Sequence, residues 1–172
     1  MKISGETNSN NIKKNQPSQK NSGIINNRLS KQEILRGHLV YLSVIRDSVI
    51  LKTDYLKVYV SRKNTESIKT DLNNISEINE SPLLTKIVKV GFIITKKKIR
   101  KAVQRNRIRR LLKESYRLNK SKFYERSGMS IIFTLNDNGY SLFKNDPKIK
   151  CGFIETEMIK AAEKINKYFT KK

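Results

Sequence analysis

The run KKKIRKAVQRNRIRRLLKESYRLNK, Lys96 to Lys120, combines charge with apolar periodicity so closely that the rest of the chain must be built around it. Between Lys96 and Arg117 it holds eleven lysines and arginines and one acid, Glu114. Projected at about 100° per residue, Val103 to Lys120 gathers Ile108, Leu111, Leu112, Ser115 and Leu118 into an arc of about 120°, wide enough to dock on a sheet. The opposite arc is cationic. Arg105, Arg109, Lys113 and Arg117 stand four apart in one stripe, with Asn106 and Arg110 in a row beside it. Glu114, four after Arg110, is expected to brace that guanidinium. Cations one helical turn apart, about 5.4 Å, can meet successive phosphates of a folded nucleic acid. Asn106 carries both a donor and an acceptor, so it can brace a neighbour or touch a base or a sugar hydroxyl. The lead-in TKKKIRK adds Lys96, Lys97, Lys98, Arg100 and Lys101 where a strand passes into the helix, whose free backbone donors reinforce them toward phosphate.

The charge of the whole chain agrees. Its 172 residues carry 37 Lys and Arg against 15 Asp and Glu, a net +22 that repels itself in any compact state unless a polyanion relieves it. That length suits one domain with a tail. One cysteine, Cys151, leaves no intramolecular disulfide, and with one histidine, His38, it makes a Cys/His zinc site improbable. No run of about 18 apolar residues predicts a membrane span, so a cytoplasmic protein without membrane contact is expected.

Along the chain, residues 1–29 are rich in Asn, Ser and Lys without an apolar period and are expected to be a disordered polar tail. Ser30 and Glu33 have capping-box spacing, and Ile34, Leu35, His38, Leu39, Tyr41, Leu42 and Ile45 predict an amphipathic helix running to Arg46. From Val49 to Val60 the chain alternates around a break at Lys52 to Asp54, which predicts two short strands or one bent one. Tyr55, Lys57 and Tyr59 share one face, and Leu56, Val58 and Val60 the other. A polar, locally acidic insertion occupies about residues 63–86, before a β-branched strand at Lys86 to Thr95. MSIIFTL predicts another strand, NDNGY a turn, and Phe153 to Tyr168 a closing helix. Residues 30–172 thus form a single domain of order α-β-β-β-α-β-α.

These residues resemble the protein subunit family of bacterial ribonuclease P. The family's A-V-x-R-N-R helix start and following [KR]-R-x-x-[KR]-E are matched by Ala102, Val103, Arg105, Asn106, Arg107, then Arg109, Arg110, Lys113 and Glu114. VGFIITKKK is similar to the strand and Lys-Lys turn before that helix, and GMSIIFTL to the strand after it. The resemblance implies an α+β, two-layer, ribonuclease P protein-like sandwich with a left-handed β-α-β crossover. It implies a chain that binds the catalytic ribonuclease P RNA through Lys96, Lys97, Lys98, Arg100, Lys101, Arg105, Asn106, Arg107, Arg109, Arg110, Lys113 and Arg117. It also implies a cleft between the first helix and the sheet for the single-stranded leader of precursor tRNA. Tyr41, Ile45, Tyr55 and Tyr59 are the candidates for that cleft, since aromatic faces stack on unpaired bases with little sequence preference.

No catalytic centre is legible. The acids Asp47, Asp54, Asp137 and Asp146 are not brought together by sequence, and nothing suggests a Ser-His-Asp or Cys-His pairing. The resemblance assigns removal of the tRNA leader to the holoenzyme as an endoribonuclease, with Mg2+ used by the RNA subunit and at its interface with the protein. It assigns no metal to the protein alone and no organic cofactor, and implies a protein monomer in a 1:1 complex with the RNA. The alternative reading is a non-enzymatic structural RNA-binding protein such as a ribosomal protein. A major-groove DNA reader would want dimerisation signals or a helix-turn-helix, and neither is found.

Overall fold

The computed structural model describes residues 28–62, 87–123, 128–146 and 148–170. The polar tail up to residue 27 and the insertion at 63–86 lie outside the described residues. Helix α1 (His38–Arg46) precedes strands β1 (Val49–Lys52), β2 (Leu56–Ser61) and β3 (Lys89–Phe92), then α2 (Ala102–Leu118). A 3-10 turn (Lys120–Phe123), strand β4 (Ser130–Leu135), α3 (Asp137–Asn145) and α4 (Cys151–Thr170) complete the order. The sheet runs β1-β2-β4-β3, antiparallel except for the parallel pair β3 and β4, which α2 connects.

The alternation on β2 sorts the sheet into two faces. Leu56, Val58 and Val60 join Val90, Phe92, Ile131, Phe133 and Leu135 on an inner face buried under α2 and α4. Tyr59, Ile132 and Ile93 belong to the outer face, where α1 lays down Val40, Tyr41, Val44 and Ile45. The two-layer core of sheet and long helices therefore carries a third, partial layer. Helix α2 seats Ile108, Leu112, Ser115 and Tyr116 on the sheet, and Tyr116 meets Phe92, Phe123 and Phe133 at centroid distances of 6.1, 5.2 and 5.8 Å. Leu118, expected in that arc, is 41 % exposed. The buried stripe is rotated toward Tyr116 because a ring with a hydroxyl at its tip buries its body while looking polar in an apolar count.

Three further expectations are corrected. The first helix begins at His38, not at Ser30, because Gly37 adopts φ 89° at its N-cap and the preceding residues extend along β3. The Leu35 N–H donates to Val90 O at 2.9 Å and the Val90 N–H to Glu33 O at 2.6 Å, so β3's open edge takes the groups a helix would have used. Half of the capping box survives, with the Ser30 N–H donating to Glu33 Oε2 at 2.6 Å. Glu33 also pairs with buried Lys120, whose Nζ donates to Arg28 O at 3.1 Å. The folded part accordingly reaches back past Ser30, and Leu29 packs on the core. Second, NDNGY opens a helix rather than a turn. Asn136 Oδ1 accepts from the Gly139 N–H at 2.9 Å, and Asx chemistry serves N-caps as readily as turns. Third, of the strand expected at Lys86 to Thr95, whose first residue lies outside the described residues, β3 takes Lys89–Phe92, and α4 outgrows Phe153 to Tyr168 at both ends.

Helix α4 is tied to the β1-β2 hairpin by buried Glu157. Its Oε2 accepts from Thr53 Oγ1 at 2.6 Å and the Tyr55 N–H at 3.0 Å, and its Oε1 from Lys160 Nζ at 2.8 Å. Burial pushes this carboxyl up, but the bonds from Lys160, Thr53 and Tyr55 together outweigh it and hold the group below the usual carboxylate value. A depressed folded value contributes stability that is complete above the unfolded value, about 4.3, and is lost as pH falls through the folded one. Urea midpoints are expected to drop between about pH 4.5 and pH 3, and less steeply in Glu157→Gln; identical slopes in the two proteins would refute the role of this carboxylate.

Candidate nucleic-acid interface

Two surfaces meet at the turn Thr95–Ile99. The Lys98 and Ile99 N–H groups both donate to Thr95 O at 3.1 Å, which closes the turn and turns Lys96, Lys97 and Lys98 outward, while Ile99 is buried. On one side of this turn lies the exposed face of α2, and on the other an open cleft.

On α2 the structure divides the sequence-predicted cations by what they already hold. Arg105 donates to the carbonyls of Ile99 (3.0 Å) and Arg100, pinning the lead-in to the first turn of the helix. Arg107 donates to Ile149 O at 3.1 Å. Asn106 Oδ1 accepts from Arg109 at 2.8 Å, which orients that guanidinium outward before any ligand arrives. Glu114 braces Arg117 rather than Arg110, through bonds of 2.9 and 2.6 Å. This forked pairing uses both carboxylate oxygens and leaves Arg110 to other ligands. Lys98 pairs with Asp137 at 2.9 Å. Lys96, Lys97, Arg100, Lys101, Arg110 and Lys113 are exposed and make no ion pair among the described residues. These six are the cations most ready for phosphate.

The cleft, about 390 Å³, opens on the outer sheet face and is lined by Ile45 of α1, Tyr59, Ile93 and Thr134 of the sheet region, and the start of α3. Among the described residues, four lysines, Lys52, Lys57, Lys97 and Lys98, look into it against one acid, Asp137. Lys57 Nζ stands 4.8 Å from the Tyr59 ring centroid. The cleft wall is fixed by the Tyr140 hydroxyl, which bonds Thr95 Oγ1 and Thr134 Oγ1 at 3.2 Å each and accepts from the Thr95 N–H at 3.1 Å. Tyr41 packs with Ile45 and Tyr59 on the same face, its ring lying over Gly91, where an added Cβ would come within 2.6 Å of Tyr41 Cε1. Burial pushes the Tyr41 phenol up, against the Phe92 backbone and the Arg109 charge nearby.

Of the four sequence candidates for the cleft, Ile45 and Tyr59 line it, Tyr41 packs beside them without lining it, and Tyr55 lies elsewhere. The Tyr55 ring stacks edge-on against Phe153 of α4, with centroids 4.9 Å apart, because it sits in the hairpin turn, where strand alternation does not apply. Lys52, Lys57, Thr134 and Tyr140 escaped sequence reasoning. Lys57 and Tyr59 two apart on one strand face were the available signal; Tyr140 had none, since its role depends on three elements meeting. Among the described residues no group of three or more His, Cys, Asp or Glu, with Asp47, Asp54, Asp137 and Asp146 included, could hold a metal. Among the described residues no helix is long and apolar enough to cross a membrane.

The profile of the family described as Ribonuclease P matches residues 29–149. A curated ribonuclease P protein component from Chlorobium phaeobacteroides is 32 % identical over 118 residues, covering 69 % of this chain and 65 % of that protein. One from Pelotomaculum thermopropionicum is 40 % identical over 70 residues, covering 41 % of this chain and 54 % of that protein. The matched stretches thus span under two thirds of these relatives. Among solved structures, the RNase P protein of Thermotoga maritima superimposes with a TM-score of 0.55 at 16 % identity, covering 77 % of this chain and 96 % of that one. That of Staphylococcus aureus gives 0.51 at 16 % identity, covering 78 % and 95 %. At such identity these structures bear on the fold alone.

Proposed function

The chain belongs to the ribonuclease P protein family, and on that premise we propose that it is the protein subunit of a ribonuclease P holoenzyme, binding the catalytic RNA and the 5′ leader of precursor tRNA. The observation that carries this reading is the adjacency of two surfaces of different chemistry across one lysine turn. The α2 face offers cations at helical spacing and no exposed aromatic ring, which suits the backbone of a folded RNA. The cleft offers lysines around tyrosine and isoleucine, which suits an unpaired strand whose phosphates are neutralised while its bases stack. Lys97 and Lys98 serve both, so the leader and the RNA subunit are held in one register.

In this reading the protein does no bond breaking. Asp137, the one acid lining the cleft among the described residues, is engaged by Lys98, so that lining does not fit a protein-borne magnesium site. The hydrolytic chemistry and its Mg2+ belong to the RNA subunit. The protein contributes by neutralising repulsion between the RNA subunit and the substrate backbone, which strengthens substrate binding and lowers the magnesium needed. It acts in the cytoplasm as one protein per RNA.

The test mixes the protein with a bacterial ribonuclease P RNA and a 5′-extended precursor tRNA at low magnesium and follows leader release. Strong stimulation by the protein is expected. Arg110→Ala with Lys113→Ala should weaken RNA binding and flatten its dependence on salt, by about one unit of log-log slope or less for each phosphate that goes without its cation. Tight, salt-sensitive binding without any stimulation would instead make the chain a structural RNA-binding protein.

A further inference from the structure

We propose that the described residues 144–146 and 148–150 make a third RNA-contacting element, a phosphate-binding arm laid against the first half of α2, and that Arg107 is its positioning residue. The inference rests on the family reading above and adds to it a contact surface on the far side of α2's first turns. Two bonds moor the arm at its ends. Gln104 Nε2 donates to Phe143 O at 2.7 Å, and Arg107 donates to Ile149 O at 3.1 Å. Phe143 and Ile149 are buried, while Lys144, Lys148 and Lys150 are exposed. The apolar residues therefore act as pegs, and the lysines beside them stand outward.

Charge singles the arm out. Its only acid, Asp146, uses Oδ1 to accept from the Lys148 N–H at 2.8 Å, and none of the three ammonium groups makes an ion pair among the described residues. Mooring three more cations beside a helix already crowded with them opposes folding, and a polyanion spanning both elements offsets that repulsion. Arg107 reads in the sequence as one more phosphate ligand. In the fold it donates to a backbone carbonyl of the arm, so it acts through the lysines on either side of Ile149. The partner is the sugar-phosphate backbone of the same folded RNA that α2 meets, read by charge and not by base.

The test measures binding of the full chain to a bacterial ribonuclease P RNA, without precursor tRNA, across a salt series. Lys144→Gln, Lys148→Gln and Lys150→Gln combined should weaken binding about tenfold or more near 0.1 M salt and lower the log-log slope by roughly two to three units. Lys31→Gln, Lys122→Gln and Lys167→Gln combined remove the same charge from elsewhere and should change affinity by under about threefold. Arg107→Ala should weaken the parent severalfold and have no further effect in the arm variant, the mark of a residue acting through its neighbours. Equal losses in the arm and control variants would overturn the proposal. An unchanged arm variant beside a weakened Arg110→Ala, Lys113→Ala protein would overturn it and leave the family reading standing; if neither variant lost affinity, both would fall. An Arg107→Ala loss of the same size in both backgrounds would remove its positioning role.

Discussion

Lys120→Met is expected to lower the stability of the fold by about 3–5 kcal/mol, a fall in Tm of roughly 6–15 °C for a chain of this size. Lys120 and Glu33 are a buried ion pair, with side chains 5 % and 8 % exposed. Burial pushes the Glu33 carboxyl up, yet the bonds from Lys120 and Ser30 hold it below its ordinary value. Removing the ammonium takes the countercharge from a carboxylate sealed from water, which is costlier than losing the attraction itself. Arg28 loses its carbonyl's partner in the same step. Glu33→Gln with Lys120→Met should recover a good part of the loss, because no charge then stays buried alone. Urea unfolding of the single and double variants checks this, and a single variant within about 1 kcal/mol of the parent would show that the pair does not hold the strap.

Gly139→Ala should cost about 3 kcal/mol and damage the cleft as well. A Cβ there would stand 2.3 Å from Tyr55 O and 3.2 Å from the Leu135 side chain. The first contact is backbone and cannot swing aside. To admit the methyl group, α3 must lift from the hairpin turn, and it carries with it Asp137 and Tyr140, which hold Lys98 and the Thr95 and Thr134 hydroxyls. Affinity for precursor tRNA should fall more than affinity for the same tRNA without its leader. Gly152→Ala is the control: nothing lies within 4 Å of its Cβ, and helix propensity alone favours Ala there by up to about 1 kcal/mol. Equal melting of the two variants would refute the close-approach argument.

How far the sequence could be read follows from which interactions are local. The β1-β2 hairpin and α2 were legible because period and charge lie within a few consecutive residues, as in the Leu56, Val58 and Val60 alternation. The start of α1 was not, because the carbonyls and N–H groups that draw Glu33 and Leu35 into extended form belong to Val90. Helix α3 was missed because Asn136 and Gly139 spell a turn as well as an N-cap. In the candidate interface, the cations were legible as charge at helical spacing, but not their division of labour. Arg105 and Arg107 are turned inward by carbonyls of Ile99 and Ile149, and Glu114 chose Arg117 over Arg110, decisions made by side-chain reach. Tyr55 left the cleft because a hairpin turn, unlike a strand, does not preserve facing.

The strap from Arg28 to Leu35 also sets an order of events during synthesis. Its latch, Lys120, follows Arg28 by 92 residues, and its strand partner, Val90, is likewise made long after it. The strap is therefore made early and is among the last of the described segments to find its place. Closing so long a loop is slow, as non-local pairings are, and until it closes the β3 edge is an open template for another chain. The high positive charge that the proposed function assigns to RNA binding has a second use in that interval, because nascent chains of like charge keep one another apart while the edge is bare.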